Sequence, residues 1–388
     1  MKPFKFQTTS SIISEVGATK KIGGIMADMG CRKVAFVTDA VILGLGLAKA
    51  ALDGLKIAGV DVYIIDNVVA DPPEAMIRTA VAEACAQGID GVVCVGGGSS
   101  LDTAKLISVL SHPKVTQDLD DMYGVGMVTS ARLPLVLAPT TAGTGSEVTP
   151  ISIVTTRNSE KMGVVSPILL PDWAVLDAEL TVGLPAHITA ATGIDAMVHA
   201  IEAYTTKHAK NILSDTLAKQ ALQLLGGAIH KACTNGADRE ARSDMLLGSM
   251  LAGMAFANAP VAAVHALAYP LGGHFHVPHG LSNAIVLPHV LEFNMTDVQA
   301  AAQYAEIASI IFPELAGKTT QEACTGMVEG FKALGPALGM KSTLRDVGVN
   351  HNDLPMLAED ALKQTRLLVN NPREMTYDAA LAIYTAAL

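Results

Sequence analysis

The first 180 residues alternate short, continuously apolar segments rich in β-branched residues with segments of helical periodicity. The apolar segments lie at 34–38, 61–66, 91–95, 134–138 and 173–177, and the helical patterns lie at about 45–58, 74–87 and 101–111. Strands that alternate with helices predict βαβ units and a mostly parallel sheet. Because these strands are apolar throughout rather than at every second position, we expect helices on both faces of that sheet.

The pattern changes near residue 183. Segments 187–204, 212–231 and 239–257 are rich in Ala, Leu and Met and contain few β-branched clusters. The sequence therefore predicts an α/β domain over 1–183, Rossmann-like in its mostly parallel sheet, followed by an all-α domain over 184–388. Ligands of open α/β sheets bind beyond the carboxyl ends of the strands, so we expect the active site in a cleft between the two domains.

Composition excludes several classes of protein. Half of the residues are apolar, 16% are charged and the formal net charge is −10, which argues against a disordered chain and against a nucleic-acid partner. Residues 245–291 contain no Asp, Glu, Lys or Arg, but Asn, Pro, Gly and five of the eleven histidines interrupt them, which indicates a protein core rather than a membrane span. Five scattered cysteines and an N-terminus without an apolar leader predict a cytoplasmic protein.

A glycine-rich turn follows one of the predicted strands. Residues 91–95 lead directly into Gly96, Gly97, Gly98, Ser99 and Ser100, and then into a helix whose first turn contains Asp102. Backbone N–H groups at such a turn and the dipole of the helix favour a phosphate, and either serine is expected to cap the helix. The segment matches neither GxGxxG nor a Walker A loop, and by itself it is more often an ordinary βα turn than a phosphate site.

Two other strand ends carry polar groups. Asp39 ends the first strong strand, where a carboxylate can accept hydrogen bonds from a ribose and repel a 2′-phosphate. Residues 139–147, PTTAGTGSE, follow another apolar strand and are dense in hydroxyls and glycines. A capping aspartate and a capped loop are the structural alternatives, but three such ends in one sheet favour a nucleotide site.

A second group of residues has the character of a metal site. Asp195 and His199 stand four residues apart in a helical segment, so their side chains share one face, although a simple hydrogen-bonded couple is the alternative. His265, His274, His276 and His279 follow inside the uncharged segment, where unpartnered imidazoles are costly to bury. One Asp with three His suits Zn²⁺ or Fe²⁺, and the geometry does not choose between them.

Four segments together carry a resemblance: GGGSSLDTAK, PTTAGTGSEVT, GIDAMVHAIEAY and HALAYPLGGHFHVPHG. In this order and spacing the chain resembles the iron-containing (group III) alcohol dehydrogenases over essentially its whole length, and so also glycerol dehydrogenase and dehydroquinate synthase. The resemblance implies a dehydroquinate synthase-like architecture, a homodimer, and a divalent ion that is Fe²⁺ first and Zn²⁺ second. Residues 5–14 are the segment that could pair across the two-fold axis, and the carboxylate of Asp39 favours NAD over NADP.

The resemblance also assigns roles to residues. The implied metal ligands are Asp195, His199, His265 and His279. The implied cofactor-binding residues are Asp39 at the adenosine ribose, Gly97, Gly98 and Ser99 at the pyrophosphate, Thr140, Thr141, Thr144 and Ser146 along the cofactor cleft, and Lys161 near a ribose or phosphate; Asp102, in the first turn of the helix, is a further candidate.

The chain departs from the family pattern at two places. Many members carry a further histidine four residues after the third ligand, where this chain has Tyr269, whose reference pKa is about 10 rather than about 6.5. Tyr269 and His276 are the expected catalytic residues, as routes for the proton, while His274 is either structural or lines the pocket. Asp71-Pro72-Pro73 replaces the family's Asn-Pro-Thr and leaves that segment without an assignment.

The predicted function is metal-dependent hydride transfer between NAD(H) and a small, neutral alcohol or aldehyde. The alternatives within the superfamily are glycerol dehydrogenase, a maleylacetate reductase and a lyase of the dehydroquinate synthase type. A maleylacetate reductase predicts Arg or Lys near the histidines, and residues 245–291 offer none. A non-catalytic redox sensor that keeps both sites, or a metallohydrolase, are the alternatives from other classes, and the latter leaves the glycine turn unexplained.

Overall fold

The computed structural model describes residues 3–157 and 160–388, and these fall into two compact units. The first, here called the sheet unit, comprises Gln7–Thr141 and Gly145–Gly183. The second, the helical unit, comprises Leu184–Leu388 together with residues 3–6 and Ala142–Thr144.

The sheet unit is built on a parallel sheet with strand order β1-β9-β6-β4-β2-β3. The strands of the unit are β1 (Ser11–Ser14), β2 (Lys33–Val37), β3 (Asp61–Ile65), β4 (Gly91–Gly96), β5 (Gly124–Val125), β6 (Leu135–Pro139), β7 (Ile151–Thr155), β8 (Lys161–Val165) and β9 (Trp173–Leu176). Within this chain, β1 pairs in parallel with β9, so part of the segment predicted to pair across a two-fold axis already has a partner in the same sheet.

Helices cover both faces of the parallel sheet. They are α1 (Ile22–Asp28), α2 (Ala40–Gly44), α3 (Lys49–Ile57), α4 (Glu74–Gln87) and α5 (Gly98–Leu110). Val34 and Phe36 of β2 belong to an apolar cluster with α1 and α3, whereas Ala35 and Val37 belong to a second cluster with α4 and α5. Successive side chains of a strand point to opposite faces, so a strand buried on both faces must be apolar at every position.

A smaller three-stranded sheet with the order β5-β8-β7 was not predicted. Strands β7 and β8 are antiparallel, with Ser152 opposite Val164, and β5 pairs with β8 in parallel. These strands contain Ser, Thr, Lys and Gly and are only partly buried, so they lack the long apolar runs that identified the main strands.

The helical unit contains only helices and connecting turns among its described residues. Its α-helices are α6 (Ala186–Thr205), α7 (Ile212–Thr234), α8 (Arg239–Asn258), α9 (Ala263–Phe275), α10 (His279–Asn294), α11 (Val298–Ile311), α12 (Thr320–Ala337), α13 (Leu354–Leu362), α14 (Thr365–Leu368) and α15 (Tyr377–Ala387). The predicted parallel sheet with helices on both faces, followed by a helical part, is therefore confirmed.

Glycines allow two of these helices to approach α6 closely. A Cβ on Gly193 would lie 2.5 Å from Met245 Cε, and one on Gly280 would lie 2.3 Å from the carbonyl oxygen of Ala191. Both distances are far inside van der Waals contact. The end of the Met245 side chain is flexible and can shift, whereas the backbone of Ala191 cannot, so only glycine fits at position 280. The first turn of α10 is thereby held against α6.

Among the described residues, no single helix is both long and apolar enough to cross a membrane. Helices α8 and α9 meet the test of length and composition only as a pair, and they are bent by 106° relative to one another.

Candidate functional site

Three of the four predicted metal ligands converge in the helical unit. One ligand atom each from Asp195, His265 and His279 lies within 4.8 Å of the other two. Asp195 Oδ1 is 3.8 Å from His265 Nε2 and 3.7 Å from His279 Nε2. The side chains come from α6, α9 and α10, and those of Asp195 and His265 are almost fully buried.

His199, the fourth predicted ligand, lies beside this group. Its ring stacks on that of His265 with the centroids 4.6 Å apart and the planes inclined by 23°. Its Nδ1–H donates to the carbonyl oxygen of Gly143 at 3.2 Å, which leaves Nε2 with its lone pair. Burial, together with the neighbouring His265, lowers the pKa of His199 well below 6.5, so the ring is neutral, as a metal ligand must be.

Glu202 is a functional residue that the sequence analysis missed. Its Oε2 accepts a hydrogen bond from His265 Nδ1–H at 2.7 Å, and its Oε1 accepts one from the backbone N–H of Val264, also at 2.7 Å. A carboxylate that holds the Nδ1 proton fixes the tautomer and presents Nε2 to an ion. Residues 195, 199 and 202 follow the i, i+4, i+7 spacing of one helical face, so the sequence did carry a signal for it.

The residues present fit a divalent cation. Asp195 is buried, and within the described chain neither Lys nor Arg lies at ion-pair distance from it. A buried carboxylate without a cationic partner is costly, and imidazole Nε2 lone pairs around it add only acceptors. One carboxylate and three imidazoles are a donor set for Fe²⁺ or Zn²⁺, in which the ion would supply the missing positive charge.

Of the two residues predicted to move a proton, Tyr269 lies beside a predicted metal ligand and His276 is exposed. Tyr269 is partly buried, and its ring centroid is 5.8 Å from that of His279. His276 is exposed and takes a left-handed backbone conformation with φ of 52° at the end of α9. His274 Nε2 bonds to Asp360 Oδ2 of α13 at 2.5 Å, which gives this histidine a structural partner.

The sheet unit carries a cavity of about 550 Å³ at the carboxyl ends of its strands. Residues 39–41, 66–70 and 97–100, which follow β2, β3 and β4, line it. β3 lies on one side of β2 and β4 on the other, so the strand order reverses between β2 and β4. Such a switch point is where open α/β sheets bind nucleotides, and the volume is typical of a ligand site.

Two acidic residues are among those that line this cavity. Asp39 Oδ1 caps α2 by accepting from the N–H groups of Val41 and Ile42, at 2.9 Å each. Asp66, which the sequence analysis did not single out, is a second carboxylate in the lining. Lys and Arg are absent from the twelve lining residues, all of them within the described chain.

Helix α5 begins earlier than predicted. Its N-cap is Gly97, in extended conformation and without a side-chain cap, so Ser99 and Ser100 lie in the first turn and neither caps the helix. The Ser99 hydroxyl accepts from the N–H of Asp71 at 3.3 Å. The first N–H groups of a helix have no intrahelical acceptor, and at α5 no side chain caps them, while Gly97 and Gly98 line the cavity.

Two of the predicted cofactor residues, Asp102 and Ser146, have partners within the sheet unit. Asp102 accepts from Ser146 Oγ at 2.5 Å and from the N–H of Ile153 at 2.9 Å. Lys105, fully buried, donates to Ser146 Oγ at 2.7 Å and to the carbonyl of Ile151 at 2.6 Å. Asp102 and Ser146 therefore hold one another in place.

The remaining predicted cofactor residues lie at or near the strand ends. Lys161 Nζ pairs with Asp71 Oδ1 at 2.7 Å. Thr140 is buried directly after β6, and Thr141 is the nearest side chain to a Cβ built on Gly97, at 3.9 Å. Thr144 is partly buried and is grouped with the helical unit.

Comparison with known proteins identifies the family. Residues 9–178 match the model for iron-containing alcohol dehydrogenase, and residues 189–388 match the model for the C-terminal part of the Fe-containing alcohol dehydrogenase family. The chain belongs to the iron-containing alcohol dehydrogenase family. This membership confirms the predicted family and the predicted class of reaction, oxidoreduction of alcohols and aldehydes.

Individual members of the family match over almost their whole length. Long-chain-alcohol dehydrogenase 1 of Geobacillus thermodenitrificans (strain NG80-2) is 39% identical over 372 residues, which is 96% of this chain and 93% of that protein. The crystal structure of a 1,3-propanediol oxidoreductase superposes with a TM-score of 0.95 at 34% identity and covers 100% of both chains. Sulfoacetaldehyde reductase from Bifidobacterium kashiwanohense, in complex with NAD⁺, gives a TM-score of 0.88 at 26% identity and covers 100% of this chain and 99% of that one.

Proposed function

We propose that this member of the iron-containing alcohol dehydrogenase family interconverts a small, neutral alcohol and its aldehyde with NAD as the hydride carrier, in the cytoplasm and as a homodimer. The observation that carries the proposal is the convergence of Asp195, His265 and His279, with His199 stacked beside them. Fe²⁺ is the ion expected first and Zn²⁺ second.

The proposed metal ligands are Asp195, His199, His265 and His279. A bound divalent ion supplies a Lewis acid for the substrate oxygen, and the nicotinamide supplies or takes the hydride. Glu202 keeps the Nδ1 proton of His265, so that the opposite nitrogen stays a ligand.

Tyr269 is the better placed of the two expected proton carriers, since its ring lies against His279. Its phenol is proposed to pass the hydroxyl proton of the substrate to water. His276 stays a prediction, since it is exposed at the end of α9.

The cavity of the sheet unit supports NAD over NADP. Asp39 and Asp66 place two carboxylates on its wall without a Lys or Arg in the lining, and a 2′-phosphate there would meet like charge. We propose that Gly97, Gly98 and Ser99 bind the pyrophosphate at the start of α5. Thr140, Thr141 and Thr144 are proposed to line the cofactor, Asp102 and Ser146 to support it from behind, and Lys161 to lie near a ribose or phosphate.

The uncharged segment 245–291 supports a neutral substrate, because α9 and most of α10 lie inside it. The relatives named for long-chain alcohols and 1,3-propanediol suit this proposal, whereas the one named for sulfoacetaldehyde would bring an anion. A panel of primary alcohols, diols and aldehydes, with sulfoacetaldehyde as the anionic member, separates these substrate classes.

The test uses protein stripped of metal and reloaded with Fe²⁺ or Zn²⁺. Net formation of NADH from a simple alcohol is expected, and its absence with every substrate would leave the lyase alternative. Asp195→Ala is expected to abolish metal-dependent turnover and metal binding, while Asp378→Ala, an exposed carboxylate on α15, is the matched control. An Asp195→Ala protein with full metal content and full activity would remove the assignment.

A further inference from the structure

Asn283 lies on α10, one turn after His279, and its side chain is fully buried. Its Nδ2–H donates to Asp195 Oδ1 at 2.6 Å. The same nitrogen lies 3.3 Å from His279 Nε2 and 3.4 Å from His265 Nε2. A single amide nitrogen therefore reaches all three ligand atoms that converge in the helical unit.

The Asn283 amide and a metal ion would use the same lone pairs on the imidazoles. An amide NH₂ has two hydrogens to donate and no lone pair with which to ligate a cation. Each imidazole Nε2 has one lone pair, which either accepts a hydrogen bond or binds a metal. A carboxylate oxygen has lone pairs to spare, so Asp195 can serve both the amide and an ion.

The other end of the Asn283 amide has no compensating contact. Its Oδ1 is buried and has no hydrogen-bond partner among the described residues. A buried amide used as a fixed support is normally bonded on both sides. Asn283 is held through its donor side, by the atoms that the ion would use.

We infer that Asn283 competes with the divalent ion for the imidazole lone pairs of His265 and His279, and so weakens metal binding at this site. The inference rests on the proposed function, since it concerns the same ligands. It predicts an effect opposite in sign to that of Glu202, whose hydrogen bond to His265 favours metal binding.

The test is a metal titration of the stripped full-length protein in competition with a chromophoric chelator. Asn283→Leu removes the donor at similar volume, and Asn283→Ser is a smaller second variant in case leucine does not fold. Because the two contacts at stake are hydrogen bonds to neutral imidazoles, each of modest net strength, binding of Zn²⁺ or Fe²⁺ is expected to tighten about tenfold. The rise in Tm caused by the metal should also be larger than in the parent protein.

Ser282→Ala is the matched control. Ser282 is equally buried on the same turn, but its hydroxyl bonds to the carbonyls of Val277 and Pro278 rather than to any ligand, so the affinity should not change. Weaker or unchanged metal binding in the Asn283 variants overturns the inference while the metal site stands. A parent protein that binds neither ion overturns the metal site itself.

Discussion

Glu147 is a buried carboxyl group in the sheet unit whose ionisation should make stability depend on pH. It is 1% exposed, and its Oε1 has no hydrogen-bond partner among the described residues. Burial raises its pKa from 4.5 to about 7, against the opposing effects of a backbone hydrogen bond and of Lys105. Glu147→Gln keeps the shape of the side chain and removes the titration.

The direction of the effect follows from the two pKa values. Below 4.5 the carboxyl is protonated in both the folded and the unfolded protein, so its contribution to stability is fully present. As the pH rises from 4.5 to about 7, the carboxyl ionises in the unfolded protein but stays protonated in the folded one, so the contribution is lost progressively over this range. At about 1.4 kcal/mol per pKa unit, the rise from 4.5 to about 7 amounts to about 3 kcal/mol.

Urea unfolding at a series of pH values measures this directly. The two proteins are expected to have similar free energies of unfolding at about pH 4, and the Gln variant should gain up to about 3 kcal/mol over the parent by about pH 8. Glu359→Gln, at an exposed position, controls for the loss of one negative charge. A difference between Glu147→Gln and parent that stays constant over this range would refute the reasoning.

Three further perturbations test the structure. Glu202→Gln places an NH₂ group against either the Val264 N–H or the His265 Nδ1–H, both of which are donors. The affinity for the metal should therefore fall about 10- to 100-fold in a chelator competition. Lys105→Met leaves the partners of the ammonium without a donor; it should cost about 3 kcal/mol or more in urea unfolding and raise the KM for NAD. Gly280→Ala should destabilise the protein by about 2 kcal/mol, because the added Cβ would meet the backbone of α6. Gly227→Ala is the control: no atom lies within 4 Å of its Cβ, so alanine should stabilise the protein by about 0.5–1 kcal/mol.

Each of these has a result that contradicts it. Unchanged metal affinity in Glu202→Gln would mean that the Glu202 carboxylate serves only to accept the Val264 N–H at the start of α9. A Lys105→Met protein with parental stability would show that the buried ammonium is dispensable. Equal effects of alanine at Gly280 and Gly227 would show that α10 is not held against α6 as described.

The main strands and helices were readable from the sequence because burial on both faces leaves an unbroken apolar run. The β7–β8 pair was not, since a strand on a partly solvated sheet needs only alternate apolar residues. The start of α5 was placed too late because serines are good N-caps, but an extended Gly97 took that position.

In the candidate site, too, residues at helical spacing could be predicted from the sequence, whereas residues distant in the chain could not. The i, i+4 pair of Asp195 and His199 was visible, and Glu202 continues the same face one turn later. Asn283 also stands four residues after His279. The partnership of Asp102 with Ser146 joins residues 44 positions apart, and only the folded sheet unit brings them together.

The two oxygens of Glu202 tie a helix start and a ligand ring to one side chain. The Val264 amide is in the first turn of α9, where no intrahelical acceptor exists, and the same carboxylate orients His265. Opening of the first turn of α9 and loss of the orientation of the His265 ring are therefore expected to occur together. Deuterium uptake at the beginning of α9 should consequently slow when the ion is added, which makes this short segment a reporter of occupancy independent of turnover.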